Sequence, residues 1–360
     1  MATDREGAQA AMEPVSDNDR KTLALRQHKL RYDWTNLPVQ SKIAKLMIDH
    51  QNNCSLPLGN YNWRKKIFGL GSDLHVWGAA LCNGVEDGYR IRTHNINPWV
   101  WIDQEKCDTK ASDESTMNCY FPHAELQCPQ DRSQLDEIDF NISNPIHFKC
   151  NKTMTSPMHV YNKTDWRAAG IEMLFSHVAP IVQEEAERQL NIVFPDGVPH
   201  DLITVHMRWG DKKFENKVMK EDETISAIQL IRTQRGDNLD DGTSILLCTE
   251  DPKAVEAFKN KAPKHWKIYI DQFYYEMLPH RPEDEEMYNK VPKTSRALKG
   301  KTGLWSLGSL LVAMEANAFV LVLSSNWSRL MNELRKNVLD PRCNKCTFMI
   351  DVANGRFKEW

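Results

Sequence analysis

No run of about 18 apolar residues occurs in this chain of 360, so no segment has the length and apolarity of a transmembrane helix. The opening Met1-Ala2-Thr3-Asp4-Arg5-Glu6 lacks the apolar core of a signal peptide, and the chain as written is expected not to insert in a membrane. Charge of one sign is also missing: 46 Lys and Arg stand against 49 Asp and Glu, and the net charge of -3 supplies no broad basic field for nucleic acid. No internal repeat is found, and the one low-complexity tract, Pro282-Glu283-Asp284-Glu285-Glu286, reads as a solvated acidic loop. Acid-x-acid pairs near strand ends are absent too. Cys343-Asn344-Lys345-Cys346 is a single CxxC without the second pair that zinc sites use, so it reads as disulfide-bonded cysteine and no metal is expected.

What remains is a globular composition, 41% apolar and 26% charged, in a chain long enough for two domains with a cleft between them. Asn-x-Ser/Thr sequons start at Asn53, Asn141, Asn151, Asn162 and Asn326, and Cys54, Cys82, Cys107, Cys119, Cys128 and Cys150 crowd the first half. Both features point to a secretory-pathway protein with disulfides, the Golgi lumen being the expected location and the cytoplasm the alternative.

Residues 1–16 are polar and unpatterned and read as a disordered lead-in. From Asp17, a candidate N-cap, apolar spacing through Leu23, Leu25 and Leu30 predicts a helix, and a second helix fits Ser41 to His50; together 17–52 form a bracing segment. Gly69-Leu70-Gly71-Ser72-Asp73-Leu74-His75 reads as a glycine-bearing loop feeding a helix through Val76 to Cys82, where free N–H groups can face an anion. The stretch from Cys107 to Cys150 has no clear period and predicts a long disulfide-tied excursion. Between Trp166 and Leu190 the spacing of Ile171, Leu174, Val178, Ile181, Val182 and Ala186 predicts one long helix.

The second half alternates. Leu202 to Met207, Ile245 to Thr249 and Ala318 to Leu323 are β-like runs, separated or followed by helical patterns at Lys253 to Lys261, Gly308 to Asn317 and Ser328 to Lys336. This predicts an α/β fold with a parallel sheet covered on both faces. Ligands of such sheets bind beyond the carboxyl ends of the strands, where Arg208-Trp209-Gly210-Asp211, Glu250-Asp251 and Ser324-Ser325-Asn326 all fall.

The residue types suit a phosphate. A guanidinium at a buried strand end calls for an anion, either a phosphate or a carboxylate such as nearby Asp211, so Arg208 is the first candidate. Ser324 and Ser325 open a helix whose N-terminus favours negative charge, or simply cap it. A glycan on Asn326 would block that cleft, so Asn326 is expected to be unmodified. His206 lies two residues before Arg208 on the same strand face and is either a nucleotide contact or a hydrogen-bonded core histidine. Asp211, Lys212, Glu215 and Glu250 are the groups available to take a proton from an acceptor hydroxyl.

Four segments in order carry a family resemblance. Val205-His206-Met207-Arg208-Trp209-Gly210-Asp211-Lys212 resembles the His-Val-Arg-Arg-Thr-Asp-Lys segment of alpha-1,6-fucosyltransferases. Cys248-Thr249-Glu250-Asp251-Pro252 is similar to that family's Ala-Thr-Asp-Asp-Pro, Ser324-Ser325-Asn326-Trp327-Ser328-Arg329 to its Ser-Ser-Gln-Val-Cys-Arg, and Gly69 to His75 to its Gly-Tyr-Gly-Cys-Gln-Leu-His loop. The resemblance implies a GT-B-like architecture of two lobes, with an acceptor-side lobe over 53–195, a C-terminal Rossmann-like donor-binding lobe over 200–352 and a tail at 353–360. It implies inverting, metal-independent transfer of fucose from GDP-fucose, a donor substrate and not a cofactor, to a glycan hydroxyl. Arg208 would hold the diphosphate and His206 the guanosine, with Gly69, Gly71, His75, Glu250, Asp251, Ser324, Ser325 and Asn326 lining the donor cleft, Asp211 and Lys212 near the reacting centre, and Glu215, next to the position of the family's base, as its substitute. Trp209 replaces a second arginine, Ser309 replaces an aspartate that helps read the nucleotide, and Asn216 replaces a carboxylate proposed as base. Those departures keep two alternatives in view: a non-catalytic glycan- or nucleotide-binding relative, and a transferase using another nucleotide sugar.

Overall fold

The computed structural model describes residues 28–61, 69–93, 99–107, 115–125, 128–129, 163–209, 219–280, 291–352 and 358–359. The 1–16 lead-in, most of the helix expected from Asp17, the acidic 282–286 tract and Asp211, Lys212, Glu215 and Asn216 lie outside the described residues.

The described part of the first half begins with a strap that is not helical over residues 28–30. Its backbone is satisfied by distant side chains: the His28 N–H donates to Asn191 at 2.8 Å and the Arg31 N–H to Glu315 at 3.1 Å. Helical spacing at Leu30 therefore misleads, because Leu30 is buried by tertiary packing. Helix α1 spans Lys42–Gln51, with Ser41 accepting from the Ala44 N–H and Ile43, Ala44 and Met47 buried on one face. Strand β1 (Leu58–Tyr61), helix α2 (Leu70–Asp87) and strand β2 (Arg90–Thr93) form a parallel βαβ unit. The helix expected from Val76 to Cys82 begins earlier and ends later than the loop reading placed it: only Gly69 stays outside, at the N-cap, and Leu70 to His75 are already helical.

The single helix expected between Trp166 and Leu190 is two: α3 (Lys163–Phe175) and α4 (Pro180–Val193). Pro180 sits at the start of α4, and proline disfavours helical geometry in the residue before it. The strap absorbs the break, since the Leu37 N–H donates to the Ser176 carbonyl and the Val178 N–H to the Trp34 carbonyl at 2.8 and 3.0 Å.

The second half contains β3 (Ile203–His206), α5 (Glu221–Arg235), β4 (Ser244–Cys248), α6 (Pro252–Lys261), β5 (Lys267–Ile270), α7 (Gln272–Met277), α8 (Val291–Ala297), α9 (Lys301–Ala313), β6 (Ala318–Leu321), α10 (Asn326–Leu334), β7 (Phe348–Asp351) and β8 (Lys358–Glu359). Their sheet has six strands in the order β5-β4-β3-β6-β7-β8, parallel except for β8. Reading outward from β3, this is the doubly wound arrangement, with the reversal of direction between β3 and β6. The fold is α/β, and this half is Rossmann-like.

Side-chain alternation divides the strands between two cores. Leu246, Phe319 and Leu321 face a cluster with α4 and α9 residues such as Ala186, Leu190, Leu307 and Leu311. Ile245, Leu247, Val205 and Val320 face a second cluster with Ile228 and Ile231 of α5 and Phe258 of α6. The first cluster runs on into Trp77, Trp166 and Phe175, so one apolar core crosses the boundary expected between the lobes. Disulfides join Cys54 to Cys128, Cys107 to Cys119 and Cys343 to Cys346, and Cys82 is disulfide-bonded as well. The first two tie the described part of the 107–150 excursion; its residues 108–114, 126–127 and 130–150 lie outside the described residues. No helix among the described residues is long and apolar enough to cross a membrane.

Candidate functional site

The strands β3 and β6 end side by side at the switch point, the place where doubly wound sheets take their ligands. After β3 the chain stays paired for one more residue, the Met207 N–H donating to the Cys248 carbonyl at 3.0 Å. Arg208 then lies beyond the carboxyl end of this inner strand, and its Nη1 donates to the carboxylate of Glu250, which follows β4. Both side chains remain partly exposed, at 21% and 26%. Among the described residues Glu250, from the neighbouring strand, is a carboxylate partner of Arg208; Asp211 lies outside the described residues. Trp209 packs against the second core and donates its indole N–H to the Met219 carbonyl at 2.9 Å.

His206 is buried and its Nδ1 lies 2.6 Å from Ser328 Oγ on α10. Burial, and then the Arg208 charge, push its pKa down from 6.5 to about 3, so the imidazole is neutral at physiological pH. Ser328 Oγ also accepts from the Val322 N–H at 3.0 Å, which couples the end of β3 to the end of β6 through one hydroxyl. Asp251 is buried and caps α6, accepting from the Lys253 N–H at 2.8 Å, while Pro252 fills the first helical position.

Beyond β6, Ser324 is exposed and Ser325 is buried at the N-cap of α10, where it makes no side-chain capping bond. Asn326 opens the helix, and its Oδ1 accepts from Arg329 Nη2, so its amide is engaged within the fold. The start of α2 lies directly against this turn: a Cβ added at Gly71 would stand 3.3 Å from the Trp327 ring and 3.4 Å from the Asn326 carbonyl. Glycine permits that approach, and two helix N-termini meet beside the end of β3. His75, one turn into α2, is buried, with its Nε2 2.7 Å from Glu333.

Two groups escaped sequence reasoning. Asp271 follows β5, a short strand not read from the sequence, and its carboxylate accepts from Ser309 Oγ at 2.5 Å. Burial raises its pKa from 3.8 to about 6, against the opposing bonds from Ser309 and the Phe273 N–H. The other is the contact of Arg167 with Glu333, which unites α3 and α10. Among the described residues no group of three or more His, Cys, Asp or Glu is placed to hold a metal ion.

The structure therefore brings Arg208, Glu250, His206, Ser324, Ser325, Asn326, Gly69 and Gly71 to one end of the sheet, with Asp251 and His75 buried behind them. The class so defined is an α/β protein in which an arginine and two helix starts gather at the doubly wound switch point. No protein-family model and no curated protein sequence matches the chain. Among solved structures, one of an Arabidopsis thaliana FUT1 mutant in complex with GDP matches with probability 1.00, a TM-score of 0.39 and 10% identity, over 98% of this chain and 88% of that one.

Proposed function

We propose that the chain is an inverting glycosyltransferase in which a glycan hydroxyl displaces GDP from GDP-fucose. The observation that carries this reading is the convergence of Arg208, the Ser324–Asn326 turn and the Gly69–Gly71 helix start at the switch point. A diphosphate leaving group gains negative charge as the glycosidic bond breaks, and a positioned guanidinium with helix N–H groups lowers that barrier by several kcal/mol. Arg208 takes this role by exchanging Glu250 for phosphate. The four-segment resemblance to alpha-1,6-fucosyltransferases supplies the fucose donor, the GT-B-like division into lobes and metal independence. The acceptor proton goes to the Asp211–Glu215 stretch or to Glu250. The disulfides fit a lumenal, secretory-pathway location.

Arg208→Ala tests the reading. Incubation with labelled GDP-fucose and a glycan acceptor should show transfer reduced at least about a hundredfold, with an unchanged circular dichroism spectrum. Transfer at the unaltered rate would sink it. The Arg208–Glu250 pair and the uncharged Trp209 favour a second reading, a relative that binds nucleotide without turnover. Slow release of fucose to water from the donor separates the two, because a binding module leaves the donor intact.

A further inference from the structure

Where α2, α3 and α10 meet, an excess of basic groups shares one carboxylate. Glu333, buried on α10, is 2.7 Å from His75 Nε2 through one oxygen and accepts from Arg167 Nε through the other. Burial pushes the Glu333 pKa up, but His75 and Arg167 outweigh it and hold the carboxyl below its ordinary value. Arg329 stands one turn before Glu333 on the same helix. Burial, and then repulsion from Arg167, hold its guanidinium below the ordinary value. Lys336 also feels this group from the next turn, together with Asp165 and Asp340.

The hydrogen bonds do not use up these donors. Among the described residues Arg167 bonds through Nε, and no hydrogen bond is made by its Nη1 or Nη2. Arg329 gives Nη1 to the Leu323 carbonyl at 3.1 Å and Nη2 to Asn326, while its buried Nε has none. The buried Nδ1 of His75 also lacks a partner. Two guanidiniums against one carboxylate leave a positive charge in a half-buried place, which is costly unless an anion arrives. That place adjoins the Ser324–Asn326 turn, because Arg329 holds both the Leu323 carbonyl and the Asn326 side chain. Beyond the end of β3, Arg208 is already matched by Glu250 and Trp209 adds no charge.

We propose that Arg167 and Arg329 form an anion subsite that takes a phosphate of the nucleoside diphosphate, supplying the charge absent at Trp209. This rests on the nucleotide-sugar reading for the identity of the ligand, and on the side chains alone for its being an anion. Arg167 supplies two unengaged N–H-bearing nitrogens in a planar fork suited to phosphate oxygens, and Arg329 supplies charge and the fixed shape of the turn.

Calorimetry on the full chain with sodium pyrophosphate, GDP and uncharged guanosine tests it. Arg167→Gln should weaken pyrophosphate and GDP by about tenfold and leave guanosine unchanged, with Arg167→Lys intermediate. A folded Arg167→Gln protein that binds pyrophosphate like the unaltered chain overturns the proposal, as does an unaltered chain that binds neither pyrophosphate nor GDP. Arg167-dependent pyrophosphate binding without fucose transfer supports the subsite and counts against the transferase reading. Transfer that is indifferent to Arg167→Gln does the reverse. If that variant fails to fold, phenylglyoxal labelling of Arg167 in the unaltered chain decides: protection by pyrophosphate supports the subsite, and undiminished labelling overturns it.

Discussion

Ser309 on α9 donates its hydroxyl to the buried carboxylate of Asp271, 2.5 Å away at the end of β5. The resemblance to alpha-1,6-fucosyltransferases leads one to expect a carboxyl at position 309; here serine stands there and a carboxylate lies beside it, from the residue that follows β5. Its pKa is raised to about 6 by burial, so the folded state holds a proton that the unfolded chain releases near 4. Stability must then fall as pH rises from about 4 to about 6, and stay lower above. Asp271→Asn should match the unaltered protein near pH 4 and exceed it at pH 8, by at most roughly 3 kcal/mol. Thermal unfolding across that pH range checks the sign; a variant less stable at pH 8 than at pH 4, relative to the unaltered chain, refutes it.

Glu250 competes with any anion for Arg208. Both partners are partly exposed, so the pair contributes no more than about 1 kcal/mol. Glu250→Gln should accordingly tighten GDP binding about threefold, measured by calorimetry at low salt. Weaker binding would mean that Glu250 orients the guanidinium instead of competing for it.

Gly303 packs its Cα face onto the backbone of the preceding half: a Cβ there would lie 1.9 Å from the Trp101 carbonyl oxygen. Backbone cannot rotate away as a side chain can. Gly303→Ala should cost at least about 2 kcal/mol by overpacking, seen as a lower denaturant midpoint. An unchanged midpoint would show that the 99–103 segment yields freely.

The Cys54–Cys128 bridge spans 74 residues and the Cys107–Cys119 bridge 12. Loop-closure entropy makes the longer bridge worth roughly 4 kcal/mol and the shorter roughly 3. Paired Cys→Ser variants should therefore rank in that order in urea unfolding, and the opposite ranking would point to strain or residual structure as the dominant effect.

Much of the second half was legible because a parallel sheet buried on both faces leaves unmistakable apolar runs: Leu202 to Met207 and Ile245 to Thr249 became β3 and β4 nearly residue for residue. Strand β5 was not, because an edge strand with exposed Lys267 and half-exposed Tyr269 has no such run. Helix α9 begins at Lys301, seven residues before the pattern at Gly308 to Asn317, since its apolar residues extend all round and carry no single stripe. Apolar spacing continues through Pro180, but proline disfavours helical geometry in the residue before it and the helix breaks there.

For Arg208, the sequence by itself determined that a guanidinium leaves a buried strand end in an α/β fold, because strand burial and its termination are local properties of the chain. Only the tertiary structure decided its partner. Glu250 is 42 residues away and meets Arg208 because β3 and β4 are neighbours in register. The pairing of Asp271 with Ser309 and the gathering of His75, Arg167, Arg329 and Glu333 have the same origin: side chains from separate helices and strands become neighbours only when those elements pack.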